Sequence, residues 1–459
     1  MQRANRSALA ASGAVAAALL RHGAGPPDGC ATPLLHESLP TIAEDPSAPI
    51  DVNFQASWEP LMDRMSVHWE HCAAMGGRLW EVQAAELEGP VSLCAWRACS
   101  EEEVVRRAWP EHLRRLTSRL PSGPPPVLLE LGHWRELHLD FVLAGFEKCG
   151  TSSLSHNLAR HPRGVEFVPR VDPGLNTDDQ AAQDGNFFWF LGARILPPAD
   201  LVRAFNEGRC CQGGALPQSS QGETAQREPR SGQEHAARPQ LRGERNPVYV
   251  FQRYLMKAIS MVPGAKVIVV ACDPIGWLHT AYGDTTNWYA GEPGDPPKPP
   301  LRAFALRDYV PTSRGGFYNL LRRRAFFTEA LAVLAWLFGD SLEERVHLLH
   351  RDSVDERRGD TRAAYDRLGE FLGVGPFPAD FSFERRNVLS QAGGYKAGGT
   401  GGSAPRRPPP ALCEPEEART LRVLQRYYRR EYEQLPAWLS RLGGLVPPRL
   451  AGNRSFCEP

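Results

Sequence analysis

Phe141-Val-Leu-Ala-Gly-Phe-Glu-Lys-Cys-Gly-Thr-Ser-Ser-Leu154 decides how this chain is read: an apolar run breaks at Gly145, and a lysine, a glycine and three hydroxyl residues follow. The β-branched and aromatic content of His138 to Phe146 predicts a buried strand. The spacing of Leu154 and Leu158 predicts a helix from Thr151 to His161, stopped by Pro162. The turn between them aims the N–H groups of a helix start past the strand end, where they favour an anion. Lys148 adds a charge there, and Thr151, Ser152 and Ser153 add hydroxyl donors.

The order of residues in that loop narrows the ligand. An ATPase-type P-loop places its lysine directly after the last glycine of GxxxxGK[ST]. Here Lys148 comes before Gly150, which argues against that loop and against a nucleoside-phosphate kinase. An ordinary strand-turn-helix connection with an incidental lysine is the bland alternative.

A second unit of the same kind is Lys266-Val-Ile-Val-Val-Ala-Cys-Asp-Pro-Ile-Gly-Trp-Leu-His-Thr-Ala-Tyr282. The unbroken apolar run from Val267 to Ala271 is expected of a parallel strand covered on both faces, and Asp273-Pro274 opens a helix. Beyond it the pattern predicts a helix over 317–338, a strand over 345–350, a helix over 361–372 closed by Gly373, and helices at 414–433 and 438–442. Two strand-turn-helix units in this alternation predict an α/β fold, a doubly wound sheet with its ligand at the carboxyl ends of the strands.

With both units in view, the chain resembles the sulfotransferases that use 3'-phosphoadenosine 5'-phosphosulfate (PAPS), and among them the carbohydrate enzymes of the heparan sulfate type. The resemblance covers roughly residues 138–440. It rests on the lysine loop Phe146 to Leu154, on His161-Pro162, on Asp184-Gly-Asn-Phe-Phe188 and on Glu244-Arg-Asn-Pro-Val-Tyr249. It continues through Cys272-Asp273-Pro274 with Thr280, Gly316-Phe-Tyr318, Trp336-Leu-Phe338, Phe371-Leu-Gly373 and Tyr427-Tyr428. Each motif is weak alone; their order and spacing carry the weight.

The resemblance implies a P-loop-like sulfotransferase fold, a central parallel sheet flanked by helices. It implies that Lys148 holds the 5' phosphate and neutralises the leaving oxygen, while Cys149, Gly150, Thr151, Ser152 and Ser153 line that phosphate. Thr280 would bond the 3' phosphate. Asp184 stands where heparan-type relatives have a glutamate acting as general base, one methylene shorter; a solvated turn aspartate is the alternative. Cys272 occupies the place where relatives usually have an arginine against the 3' phosphate, and it supplies neither a cation nor a fork of donors. Arg406 and Arg407, in a late basic loop, are the candidates to compensate. No metal is implied. His156 reads as a packing or surface histidine.

Composition sets the remaining bounds. Formal net charge is zero over 459 residues, so no global field draws the chain to nucleic acid, and an anionic ligand must be met by local basic clusters. Ten cysteines lack the paired C-x-x-C spacing of a zinc site; a pairing such as Cys94 with Cys99 is open, and connectivity and compartment are not legible. Residues 1–29 carry Arg3, Arg6 and an apolar run from Ala8 to Leu20, which is short for an anchor and suits a secretory signal core better. A transit peptide and an Ala-rich helix also fit.

Residues 30–130 are expected to form a helical N-terminal extension or stem, with helices near 58–74 and 100–120, joined by the Pro121–Pro126 run to a main domain over 134–444. A polar insertion at 207–243 is expected to lack a fold of its own, and 445–459 form a tail. The reading is therefore a PAPS-dependent sulfotransferase in the secretory pathway, at the Golgi, acting on a hydroxyl or amine of a carbohydrate. The alternative is an impaired relative that binds nucleotide or glycan. Trp288 and Tyr289 are candidates to stack on a sugar, with lid packing as the alternative.

Overall fold

The computed structural model describes Cys30 and residues 52–87, 89–118, 121–168, 195–207, 241–247, 249–284, 325–354, 360–384 and 413–451. The chain divides into two units, Met1–Leu137 with Phe188–Cys210, and His138–Phe187 with Cys211–Pro459.

The N-terminal unit is a mixed fold rather than a helical stem. Helix α1 (Val52–Ala74) leads into strands β1 (Gly77–Gln83) and β2 (Val91–Trp96), and β3 (Val127–Leu131) pairs on the other side of β1, giving an antiparallel order β2-β1-β3. Sequence reasoning missed the hairpin because its connection is longer than the two to five residues that make a hairpin recognisable. Residues Glu101–Ala108 run helically into α2 (Trp109–Thr117), with Ser100 and Glu103 forming a capping box at the start. Trp80, Val82, Leu93, Val104, Trp109 and Leu113 form the core between sheet and helix.

The proline run is not a link between domains. It joins α2 to β3 inside this unit, held by Glu86, whose Oε1 accepts the N–H groups of Ser122 and Gly123 at 3.1 and 2.8 Å. The helix Ala199–Asn206 belongs here too. Two disulfides staple the unit: Cys72 bonds Cys94, and Cys30 bonds Cys99. The sequence-level option of Cys94 with Cys99 is thereby corrected; the sheet places Cys94 beside the end of α1.

The second unit is the α/β domain. Strands β4 (Phe141–Gly145), β5 (Val165–Phe167), β6 (Leu241–Arg245), β7 (Lys266–Ala271) and β8 (Val346–His350) form one parallel sheet in the order β5-β6-β4-β7-β8. Every residue of β4 and β8 is buried, as is all of β7 after Lys266. This two-sided cover explains the unbroken apolar runs. The helices are α3 (Thr151–Ala159), α4 (Arg253–Met261), α5 (Pro274–Asp284), α6 (Phe327–Phe338), α7 (Thr361–Leu372), α8 (Ala418–Tyr427) and α9 (Arg429–Arg441). α6 packs on α4 and α9.

Strand β6 was not legible as a strand, and its first residues fall in the segment expected to be a polar insertion. Its sequence Leu241-Arg-Gly-Glu-Arg245 is charged, yet Glu244 is fully buried and Arg245 is 3% exposed. Local partners make this tolerable: the Tyr249 hydroxyl donates to Glu244 at 2.6 Å, and Arg245 donates to Ser155 Oγ at 3.1 Å. Gly243 has a packing role, since a Cβ there would stand 2.1 Å from the Phe141 ring.

Candidate functional site

Because the sheet is parallel, the carboxyl ends of its strands lie along one edge, and the expected loops gather there. β4 is the middle strand of the five, with β6 and β7 on either side. It ends at Gly145, and the chain passes through Phe146 to Cys149 before α3 begins. Lys148 is exposed and holds a left-handed φ of +64°, which costs a residue with a Cβ about 1 kcal/mol. Gly150, at φ +95°, is the helix cap, and no side chain caps α3. The first intrahelical bond runs from Leu154 N–H to Gly150 O at 3.1 Å. The N–H groups of Thr151, Ser152 and Ser153 therefore precede the helix ladder and aim out of its start.

The loop is pinned on two sides. Phe146 N–H donates to Val270 O at 2.7 Å, and the Trp277 indole donates to Glu147 O at 2.6 Å. The third tie is covalent: Cys149 and Cys272 form a disulfide, with Cα atoms 5.3 Å apart. Both residues are fully buried. The two cysteines expected to line a nucleotide therefore engage each other, and their sulfurs are tied up in that bond.

At the end of β7, Asp273 accepts from Gly276 N–H at 2.6 Å and from the Tyr432 hydroxyl at 2.8 Å. Removal from water pushes this carboxyl above the usual range, and those two hydrogen bonds pull it back. Burial and the neighbouring Asp273 raise the Tyr432 phenol well above its ordinary value. Thr280 donates to Gly276 O inside α5 at 2.8 Å, so in this rotamer its proton faces the helix rather than a ligand.

Sequence reasoning missed Arg351. It follows β8 directly, and its Cγ lies 3.5 Å from where a Cβ on Gly150 would stand. Its position at the carboxyl end of a parallel strand was the available signal. Tyr432 was also missed, since the late helix drew attention only at Tyr427-Tyr428. His156 is held by Glu384, at 3.1 Å, in keeping with a packing role. Asp184, Arg406, Arg407, Trp288 and Tyr289 lie outside the described residues.

With this geometry in place, the chain was compared with known proteins. A sulfotransferase from Alicyclobacillus acidocaldarius aligns at a TM-score of 0.39 and 16% identity, over 66% of this chain and 96% of its own. The sulfotransferase domain of the curacin biosynthetic pathway aligns at a TM-score of 0.30 and 12% identity, over 53% of this chain and 76% of its own. Both of these solved structures are sulfotransferases. At these scores neither transfers a donor, an acceptor or a residue role to this chain. No protein-family model and no curated protein matches it.

Elsewhere, a cleft of about 310 Å3 in the N-terminal unit is lined by Trp69, Arg78, Arg97, Glu130 and Arg203 among others, and shares no residue with the lysine loop. No helix among the described residues is long and apolar enough to cross a membrane.

Proposed function

We propose that this protein transfers a sulfuryl group from PAPS to a hydroxyl or amine of a carbohydrate, by direct in-line displacement. The observation that carries this reading is the lysine loop at the carboxyl end of the middle parallel strand, opening α3 with uncapped N–H donors. A cation, three N–H groups and three hydroxyls at one helix start fit a phosphate, which is the chemistry the donor presents there.

Each residue then has a defined task. The N–H groups of Thr151, Ser152 and Ser153 hold the 5' phosphate in register. Lys148 neutralises the phosphate oxygen that takes the electron pair as its bond to sulfur breaks. Asp184 accepts the proton that the acceptor loses as its oxygen or nitrogen bonds to sulfur. Arg406 and Arg407 remain candidates to close over the nucleotide, and Thr280 to meet its 3' phosphate after rotating.

The disulfides Cys30–Cys99, Cys72–Cys94 and Cys149–Cys272 support an oxidising compartment, and with the apolar run at Ala8–Leu20 they favour residence in the secretory pathway, at the Golgi. The test is sulfate transfer from radiolabelled PAPS to a panel of glycans. Lys148→Ala is expected to lower kcat/KM at least about 100-fold; unchanged turnover would sink the reading.

One observation favours a second reading. Position 272 holds a buried, bridged cysteine instead of a cation, which suits a protein that binds a nucleotide or glycan without turnover. Calorimetric binding of 3'-phosphoadenosine 5'-phosphate with no transfer to any acceptor selects this second reading over the first.

A further inference from the structure

The phosphate site proposed above shows one fixed cation in its loop, Lys148, and the turn after β7 contributes a disulfide where a positive charge would be useful. Strand β8 brings another candidate to the same edge. β8 pairs with β7, which pairs with β4, so the end of β8 lies two strand spacings, about 10 Å, from the end of β4. An arginine at that end spans most of the gap.

Arg351 is that residue. Its stem packs over Gly150, with Cγ 3.5 Å from the position of a Cβ on the glycine that caps α3. Its side chain is 25% exposed. It lies close enough to Asp273 for its charge to favour the ionised carboxylate. Asp352 Oδ1 stands 3.9 Å from Arg351 Nε, a loose pair. His350 accepts Asp352 N–H at Nδ1, at 3.2 Å. The glycine itself matters because of its φ of +95°, which a residue with a Cβ rarely adopts.

We infer that Arg351 is a second cation of the donor site, reaching across Gly150 to the 5' phosphate group held at the start of α3. This deepens the function proposed above and rests on it. The guanidinium offers that anion a fork of donors from the side of the sheet opposite to β6.

The experiment is calorimetry on the full chain with three probes: 3'-phosphoadenosine 5'-phosphate, adenosine 5'-phosphate and adenosine 3'-phosphate. Arg351→Gln is expected to weaken the first two about ten- to a hundredfold, the effect of a lost charge-assisted hydrogen bond, and to leave adenosine 3'-phosphate unchanged. Arg351→Lys is expected to restore part of the loss, and both variants keep the wild-type melting temperature. Equal weakening of all three probes marks a structural role and overturns the inference. So does full affinity of Arg351→Gln in a protein where Lys148→Ala abolishes binding, a result that leaves the donor-site reading intact. If wild-type protein binds none of the probes, the donor-site reading itself fails, and the inference fails with it.

Discussion

The bridge between Cys149 and Cys272 offers the sharpest test of the architecture. The two cysteines are separated by 123 residues in sequence, so breaking the bond releases a long loop in the unfolded chain. In the chain-entropy description, a closed loop of that length contributes about 5 kcal/mol. Both side chains are fully buried, so the double variant Cys149→Ala, Cys272→Ala removes the bond without burying a new hydroxyl or leaving a lone thiol. At roughly 2 °C per kcal/mol for a unit of this size, the transition of the α/β unit is expected to fall by about 10 °C in scanning calorimetry. The same variant frees the lysine loop from the turn after β7, and its affinity for 3'-phosphoadenosine 5'-phosphate is expected to weaken. A fall of less than about 3 °C would refute the reasoning, because it would mean that the bridge does not constrain the unfolded chain as its span requires.

Two further outcomes follow from buried titratable groups. Burial first, and then the charge of Arg367, push the His347 imidazole down to about 4. A base with a lowered folded pKa is protonated more readily when unfolded, so its contribution is whole above pH 6.5 and is lost as pH falls toward 4. At pH 5 the loss is about 2 kcal/mol; urea midpoints at pH 7.5 and pH 5 are expected to differ less in His347→Gln than in wild type, and identical pH dependences would contradict this. Glu431, fully buried, accepts the N–H and hydroxyl of Thr328 at 2.9 and 2.5 Å and so satisfies the start of α6. Glu431→Ala is expected to destabilise by about 2 kcal/mol and Glu431→Gln by less than half of that, read as melting temperatures; equal losses in both variants would show that the acceptor is not what matters.

The strands legible in the sequence were those buried on both faces. β4 and β7 are short apolar runs ending in turn residues, β8 sets Val346, Leu348 and Leu349 among two histidines, and α7 closes at Gly373 where a left-handed residue is required, φ +82°. What escaped was β6, whose buried Glu244 and Arg245 find partners such as Tyr249 and Ser155 outside the strand, and the hairpin β1-β2, whose long connection conceals its pairing. The lysine loop was legible because its glycine, lysine and hydroxyls are consecutive. Arg351 and Tyr432 were not, because they lie far along the chain from Gly150 and Asp273.

The local order of residues by itself determined a strand, a loop and a helix start suited to a phosphate, since backbone dihedrals, uncapped N–H groups and a nearby lysine are all local properties. Only the tertiary structure decided what stands around that helix start. Strand order in the sheet brings Cys149 to Cys272 and Arg351 to Gly150. Pairings across such sequence separations are set by packing of the whole sheet, which no short window of residues contains.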